Sequence, residues 1–383
     1  MKLYAVAFSD RGRQLIKKIE NIPLAVDYGN IPLLCGGKIV QAPLRVCQRN
    51  QENPGTKQLT QRAVEMKQLI QEGLGAHQAF AEGAPLVFVG AAGIAVRALA
   101  ALPKNKGTDS PVLVVDEQAN FVIPLLSGHL GGANELAIQL AKGLGATPVI
   151  TTATDVNGLF SVDVFARKNN LSIPDTGGIV KISSRLLHGE KVQMAIENLE
   201  QEQLQQLGAP MEVVLVPWSK RQEAEPEIVI SSNEADLTEA VLGLKFRDYV
   251  LGVGCKKGKS VEELADWLEK TEHDGILKRE HIAAIASIDV KRGEPGLLEL
   301  AQRLRRPFYV FSGEELMAVP GDYTVSAFVE QTVGVDTVCE RAAVAAAGGG
   351  PLVVKKMAYN GMTFAVAKMS VECRKKRSVR FDG

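Results

Sequence analysis

The chain has 383 residues, 46% of them apolar and 23% charged, the balance of a soluble globular protein too long for one hydrophobic core. Its 44 basic and 44 acidic residues cancel, which leaves no bulk electrostatic footprint for nucleic acid or an anionic membrane surface. No apolar run approaches the roughly 20 residues that span a bilayer, so neither nucleic acid nor membrane is expected as a partner.

The five cysteines, Cys35, Cys47, Cys255, Cys339 and Cys373, are odd in number and contain no C-x-x-C pair, which argues against a disulfide framework and a zinc site. Reduced thiols are expected. The opening Met1-Lys-Leu-Tyr-Ala-Val-Ala-Phe8 is short and meets Ser9-Asp10 at once, so it reads as a first strand and not as a signal peptide, and a cytoplasmic location is expected.

Residues 2–8 predict a strand and Arg11–Ile19 a helix; a less regular stretch with Gly36-Gly37 and Pro54-Gly55 precedes helical periodicity over 60–81. Pro85–Gly90 reads as a buried strand that runs into Gly90-Ala-Ala-Gly-Ile-Ala-Val-Arg97, a strand–glycine–helix junction. Pro111–Asp116 is a further strand ending in Asp116-Glu117. Next comes the apolar run Phe121–Leu126, the loop Ser127-Gly-His-Leu-Gly-Gly-Ala-Asn134, and a helix from Asn134 to Lys142. Thr147–Thr152 is again strand-like and leads to Ala153-Thr154-Asp155. Strands alternating with helices at this spacing indicate α/β architecture, with mostly parallel sheets and helices on both faces. Ligands of such sheets bind at the carboxyl ends of the strands, which collects Gly90–Arg97, Asp116-Glu117, Ser127–Asn134 and Thr151–Asp155 on one edge.

Three regions are expected: an N-terminal α/β domain over 1–145 with the Ser127–Asn134 loop, a middle region over 146–240, and a C-terminal α/β domain over 247–372, followed by a basic tail, 373–383, expected to fray. In the middle region Val192–Leu204 reads as a helix, whereas Met211–Val216 and Glu227–Ile230 read as strands. The last domain opens with the strand Tyr249–Gly254, the loop Cys255–Ser260 and the helix Val261–Leu268. It continues through Ile282–Asp289, Phe308–Phe311, the helix Val338–Ala347 and the strand pair 352–355 and 363–367.

Two nucleotide motifs are approached and missed. Gly254-Cys-Lys-Lys-Gly-Lys-Ser260 ends like a P-loop, but G-x-x-x-x-G-K-[ST] needs glycine at Val253. Its lysines, Lys256, Lys257 and Lys259, either hold carboxylates or phosphates at a helix start or are a solvated turn. Gly90-x-x-Gly93 is half of a dinucleotide fingerprint, equally served by close helix–strand packing. Arg97, in an otherwise apolar helix, is an anion ligand or an exposed helical cation.

The Ser127–Asn134 loop concentrates a hydroxyl, an imidazole and three glycines at a helix start, where backbone N–H groups converge. A Ser127-x-His129 nucleophile pair is a poor fit without G-x-S-x-G. His129 as general acid or base is better founded, because imidazole titrates near neutrality, and the other reading is a structural histidine. Asp116, Glu117, Glu135 and Asp155 could orient it or bind a cation, or could serve as caps and solvated strand ends.

Gly93-Ile-Ala-Val-Arg97, the Lys106 to Asp116-Glu117 stretch, Leu126–Asn134 and Ala146–Asp155 together resemble the cobalamin-biosynthesis CbiG family of cobalt-precorrin 5A hydrolases. Gly252–Gly258, Lys291–Leu297 and Val338–Ala343 extend the resemblance through the C-terminal region; it is loosest over 30–80 and 156–245. Small departures are Ser110 between Asp109 and proline, and Lys256 where arginine is common. The resemblance implies an enzyme of the anaerobic, cobalt-early branch of vitamin B12 synthesis that opens a δ-lactone, releases acetaldehyde and yields cobalt-precorrin 5B. It implies the cobalt-precorrin macrocycle as partner, cobalt carried by the substrate, and no cofactor or protein-bound metal.

On that resemblance the expected catalytic residues are His129, Ser127, Glu135 and Asp116. Expected substrate-binding residues are Arg97, Gly128, Gly131, Gly132, Asn134, Thr152, Asp155, Lys256, Lys257 and Lys259, with N–H groups of Gly128–Ala133 receiving an oxyanion and the cations receiving substrate carboxylates. A non-catalytic carrier of corrinoid intermediates is the competing expectation. Homo-oligomerisation and transient contact with neighbouring pathway enzymes stay open.

Overall fold

The computed structural model describes residues 2–24, 38–40, 45–48, 79–80, 83–104, 109–375 and 379–381. The chain divides into two compact units, one of Met1–Val26 with Pro43–Asn157, the other of Asp27–Ala42 with Gly158–Gly383. The helix expected over 60–81 lies outside the described residues apart from Ala79 and Phe80.

In the first unit, strand β1 (Lys2–Ala7) leads into helix α1 (Asp10–Ile19), whose N-terminus is closed by Ser9: its hydroxyl oxygen accepts the Gly12 N–H at 3.0 Å. Strand β2 (Lys38–Val40) belongs to a sheet of the other unit, while β3 (Arg45–Gln48) pairs in parallel with β1. Strand β4 (Leu86–Val89), helix α2 (Ala92–Leu99) and strand β5 (Val112–Val115) come next. Every residue of β4 and β5 is buried, as a continuous apolar run requires when a strand is covered on both faces. Strand β6 (Phe121–Leu126), helix α3 (Ala133–Leu144) and the two-residue β7 (Thr147–Pro148) complete a six-stranded sheet in the order β3-β1-β4-β5-β6-β7.

Leu15, Ile16 and Ile19 of α1 pack with Leu136, Ala137 and Leu140 of α3 on one side of this sheet. Ala95, Ala98 and Leu99 of α2 pack with Tyr4, Leu86 and Phe88 on the other. Each fully buried aliphatic or aromatic side chain contributes roughly 1.5–3 kcal/mol by leaving water.

Strand direction departs from expectation at β6. It pairs antiparallel with β5, Val112 opposite Leu126 and Val115 opposite Val122. The cause is the tight connection 116–120. Asp116 carboxylate oxygens accept the N–H of Gln118 (3.1 Å), the Asn120 side-chain amide (3.1 Å) and the N–H of Phe121 (2.6 Å), and Ala119 takes φ +57°. A connection this short reverses the chain, since a parallel return needs a crossover of a dozen residues or more. Gly90 and Asp116 therefore end strands at one edge, and Ser127 leaves β6 at the opposite edge. Strand β7 runs parallel to β6, Phe121 opposite Thr147, so the chain after β7 comes back to the Ser127 edge. Only Thr147 and Pro148 of the expected strand Thr147–Thr152 are in the ladder, and the short helix α4 (Ala153–Val156) lies beyond them.

The second unit holds two sheets. Strands β8 (Leu171–Ser172), β9 (Val192–Ile196), β10 (Val213–Val216), β11 (Ile228–Ser231) and β12 (Leu242–Phe246) are ordered β10-β9-β11-β12-β8, all parallel but β8. The helix expected over Val192–Leu204 begins as a strand. Val192, Met194, Ala195 and Ile196 are buried between neighbouring parallel strands, Asn198 turns the chain at φ +62°, and only Gln201–Leu204 is helical behind a Glu200–Gln203 capping box.

The other sheet contains β13 (Tyr249–Cys255), β14 (Ile282–Ile288), β15 (Phe308–Phe311), β16 (Leu352–Tyr359) and β17 (Met362–Lys368), with β2 added on the edge of β15. The expected frayed tail is anchored. Val379 is 3% exposed in the β8–β12 core, Arg380 and Asn169 exchange two hydrogen bonds (2.7 and 2.9 Å), and the Phe381 ring lies 4.9 Å from that of Phe165. Two apolar residues at i and i+2 behind the basic run supply the anchor. The fold is α/β, as expected, and no described helix is long and apolar enough to cross a membrane.

Candidate active site

The loop after β6 is built by its own backbone. Ser127 takes φ +54° and its hydroxyl donates to the Asp109 carbonyl at 2.8 Å, which ties the start of the loop to the chain entering β5. The N–H groups of Gly132, Ala133 and Asn134 then bond the carbonyls of His129, Ser127 and Gly128 at 3.0, 3.1 and 3.1 Å. Gly131 permits this closure: a Cβ there would stand 2.3 Å from Cβ of Ser127. Gly132, at φ +82°, turns the chain into α3. The N–H groups of Gly132 and Ala133, both expected to receive an oxyanion, are thus committed to the loop.

His129 is carried out of this loop towards α4. Its Nε2 lies 2.7 Å from Oδ2 of Asp155 and 3.5 Å from Oγ1 of Thr154; the imidazole is 13% exposed and the Asp155 side chain 34%. Asn134, 8% exposed in the first turn of α3, donates through Nδ2 to Oγ1 of Thr152 at 2.9 Å and to Oδ2 of Asp155 at 2.7 Å. Thr152 and Asp155 stand three apart around α4, the spacing that puts both on one face to meet a single amide. The result is a compact network of two carboxylate hydrogen bonds and a histidine on a rigid glycine loop.

Of the residues expected at one site, Ser127, Gly128, His129, Gly131, Gly132, Asn134, Thr152 and Asp155 come together. Asp116 does not, because it closes the β5–β6 hairpin at the other edge. Arg97 is exposed and its guanidinium bonds the carbonyl of Gly93, one turn back on α2, at 3.0 Å. Glu135 is next to Asn134 in the first turn of α3 and is half-buried. Lys256, Lys257 and Lys259 belong to the second unit. Lys259 is paired with Glu263 at 2.6 Å, and its loop is pinned by Glu294, which accepts the Gly258 N–H at 2.7 Å and pairs with Lys291 at 2.9 Å; Lys256 and Lys257 are exposed. Burial pushes the neighbouring Cys255 thiol up to about 11, so it is no ready nucleophile.

Thr154, 5% exposed and within reach of the imidazole, was not singled out from sequence, although it lies inside the Thr151–Asp155 segment. Among the described residues no three His, Cys, Asp or Glu side chains are grouped as metal ligands.

Fold and candidate site define a multidomain α/β protein that presents a histidine–carboxylate pair on a glycine loop at the end of a sheet. Residues 75–155, 160–244 and 249–367 match, in turn, the family models for the cobalamin synthesis G N-terminal region, the cobalamin biosynthesis central region and the cobalamin synthesis G C-terminus. The chain belongs to this CbiG family. It is 37% identical to the cobalt-precorrin-5A hydrolase of Salmonella typhimurium LT2 over 70% of this chain and 77% of that one. To the protein of the same name from Priestia megaterium it is 31% identical, over 74% and 78%. A crystal structure of a cobalamin biosynthesis protein G homologue from Sulfolobus solfataricus aligns over 96% of this chain and 97% of that one, at 22% identity and a TM-score of 0.37.

Proposed function

We propose that this chain is a cobalt-precorrin-5A hydrolase that opens the macrocycle lactone and releases acetaldehyde, with His129 as its proton carrier. The observation that carries the reading is the 37% identity to a relative of that name along most of both chains. The site geometry supports it, since the reaction needs water and proton transfers and the loop presents an imidazole held by a carboxylate.

Water adds to the lactone carbonyl, and the acyl–oxygen bond then breaks to leave a carboxylate and an alcohol. That alcohol carbon bears the methyl group. Removal of its hydroxyl proton lets the carbon–carbon bond to the macrocycle break, acetaldehyde departs, and the electron pair left on the macrocycle takes up a proton. One base that accepts a proton and returns it serves both halves, and an imidazole is suited to this near neutral pH. In this reading the cobalt arrives with the substrate, and no resident cofactor is called for by the balance. Exposed Lys256 and Lys257 are proposed as carboxylate-binding residues within the second unit. Lys259, paired with Glu263, is assigned to holding its own loop. A cytoplasmic setting is part of the same proposal.

Purified protein incubated with cobalt-precorrin 5A should release acetaldehyde in step with substrate loss, read by aldehyde-dependent NADH oxidation with alcohol dehydrogenase. Tight binding with acetaldehyde appearing only at the rate of the protein-free control would instead make the chain a carrier. His129→Ala should lower the release rate by about a hundred-fold or more, the scale of losing an acid–base group.

A further inference from the structure

We infer that Asp155 and Asn134 are positioning residues for His129, and that they act on the reaction through the imidazole and not as ligands of the substrate. The inference rests on the assignment of His129 as proton carrier and specifies how that histidine is prepared. Oδ2 of Asp155 lies 2.7 Å from Nε2 of His129 and 2.7 Å from Nδ2 of Asn134. A carboxylate oxygen only accepts, so both partners donate to it. Nε2 therefore carries a hydrogen, and this contact fixes the ring in one tautomer.

The amide orientation of Asn134 is settled by the same bookkeeping. With Nδ2 towards Thr152 and Asp155 both of its hydrogens are used, at 2.9 and 2.7 Å; a flipped amide would turn its carbonyl oxygen on the carboxylate. The amide has no room to swing. Asn134 is 8% exposed, and Gly128 packs so closely that a Cβ there would be 2.7 Å from Oδ1 of Asn134. Asn134 is in the first turn of α3 and Asp155 lies in α4, so the carboxylate is held from one element while it orients a ring held by the loop between β6 and α3. An imidazole fixed in tautomer and direction by a hydrogen-bonded carboxylate is a better proton carrier than a freely rotating one, and during turnover the same carboxylate stabilises the imidazolium. Proton count is conserved: the proton taken by the imidazole is the one later returned to the macrocycle.

The decisive experiment is a mutant cycle in the full-length chain. Asp155→Asn should lower kcat about ten- to hundred-fold with KM changed less than about three-fold, and Asn134→Ala should lower kcat by a smaller factor in the same direction. In the double variant His129→Ala with Asp155→Asn, the rate should equal that of His129→Ala alone, because a residue that works through the imidazole has nothing left to act on. A double variant slower than His129→Ala by a further ten-fold, or a loss expressed mainly in KM, would make Asp155 a direct substrate ligand and overturn the inference. Long-range ¹⁵N–¹H NMR of the imidazoles supplies a readout independent of turnover. The chain has only five histidines, and the signal absent from His129→Ala identifies the ring. Nε2–H should dominate in the wild-type chain and give way to a tautomer mixture in Asp155→Ala. An unchanged tautomer there would equally overturn the positioning role. If wild-type protein releases no acetaldehyde, the hydrolase reading fails by itself and the tautomer measurement still judges the pair.

Discussion

At the scale of single residues, the loop after β6 shows how closely chemistry and backbone are tied. Ser127, a natural suspect beside a histidine, spends its hydroxyl proton on the Asp109 carbonyl and sits at φ +54°. Ser127→Ala should therefore cost about 0.5–1.5 kcal/mol in urea unfolding, the worth of one hydrogen bond, while acetaldehyde release stays within a few-fold of wild type. A hundred-fold loss of rate in a stably folded Ser127→Ala chain would return the hydroxyl to the chemistry. His129 and its glycines were legible in the sequence because loop, imidazole and helix start are contiguous. Which of the four candidate carboxylates meets the imidazole was not, since Asp155 stands 26 positions from His129 and reaches it only because β7 runs parallel to β6 and brings the chain back to the Ser127 edge. Asp116 shows the converse: a carboxylate at a strand end looks catalytic until its oxygens are seen to close a hairpin.

Among elements, most of the strands were legible as apolar runs between glycines and polar turns, because β4, β5, β11 and β14 are buried at every residue. Composition does not contain direction. Phe121–Leu126 is apolar whether it runs up or down, and the reversal is made by the Asp116 side chain accepting three N–H donors. The Val192–Leu204 stretch misled for a related reason. Its glutamate- and glutamine-rich second half has helical character, and only the burial of Val192, Met194 and Ile196 separates the strand from the helical turn at Gln201–Leu204. The tail was hidden by charge, as Arg374–Arg377 drew attention from Val379 and Phe381. Phe381→Ala should lower stability by about 2–3 kcal/mol, read from the urea midpoint, since it removes a ring packed against Phe160 and Phe165. A midpoint equal to wild type would show that the tail contributes nothing.

At the scale of the whole molecule, the second unit carries a titratable contact between its two sheets. His281, before β14, lies 3.2 Å from Nζ of Lys245 on β12 and stacks on Tyr249. Burial first, and then Lys245, depress its pKa below the ordinary histidine value, while Glu280 and Glu234 pull the other way. The unfolded chain then takes the proton first as pH falls. Stability should decline as pH drops through the ordinary histidine range and level off once the folded imidazole is also protonated. Urea midpoints compared at about pH 7.5 and about pH 5.5 should show this slope, and His281→Asn should reduce it; equal slopes in both chains would remove His281 as its source. The reversed strand β6 has a consequence of another kind. It makes the hairpin a length gauge, because the step from the Asp116 turn to the histidine loop is counted in strand residues of about 3.4 Å each. Adding two residues to β6 would slide the loop by one pleat repeat with its facing kept, whereas adding one would turn every side chain of the strand to the opposite face. Length variation in this hairpin is therefore subject to a parity rule, which an odd change can meet only through a bulge such as the one already present, where Leu125 stands unmatched between Pro124, opposite Leu113, and Leu126, opposite Val112.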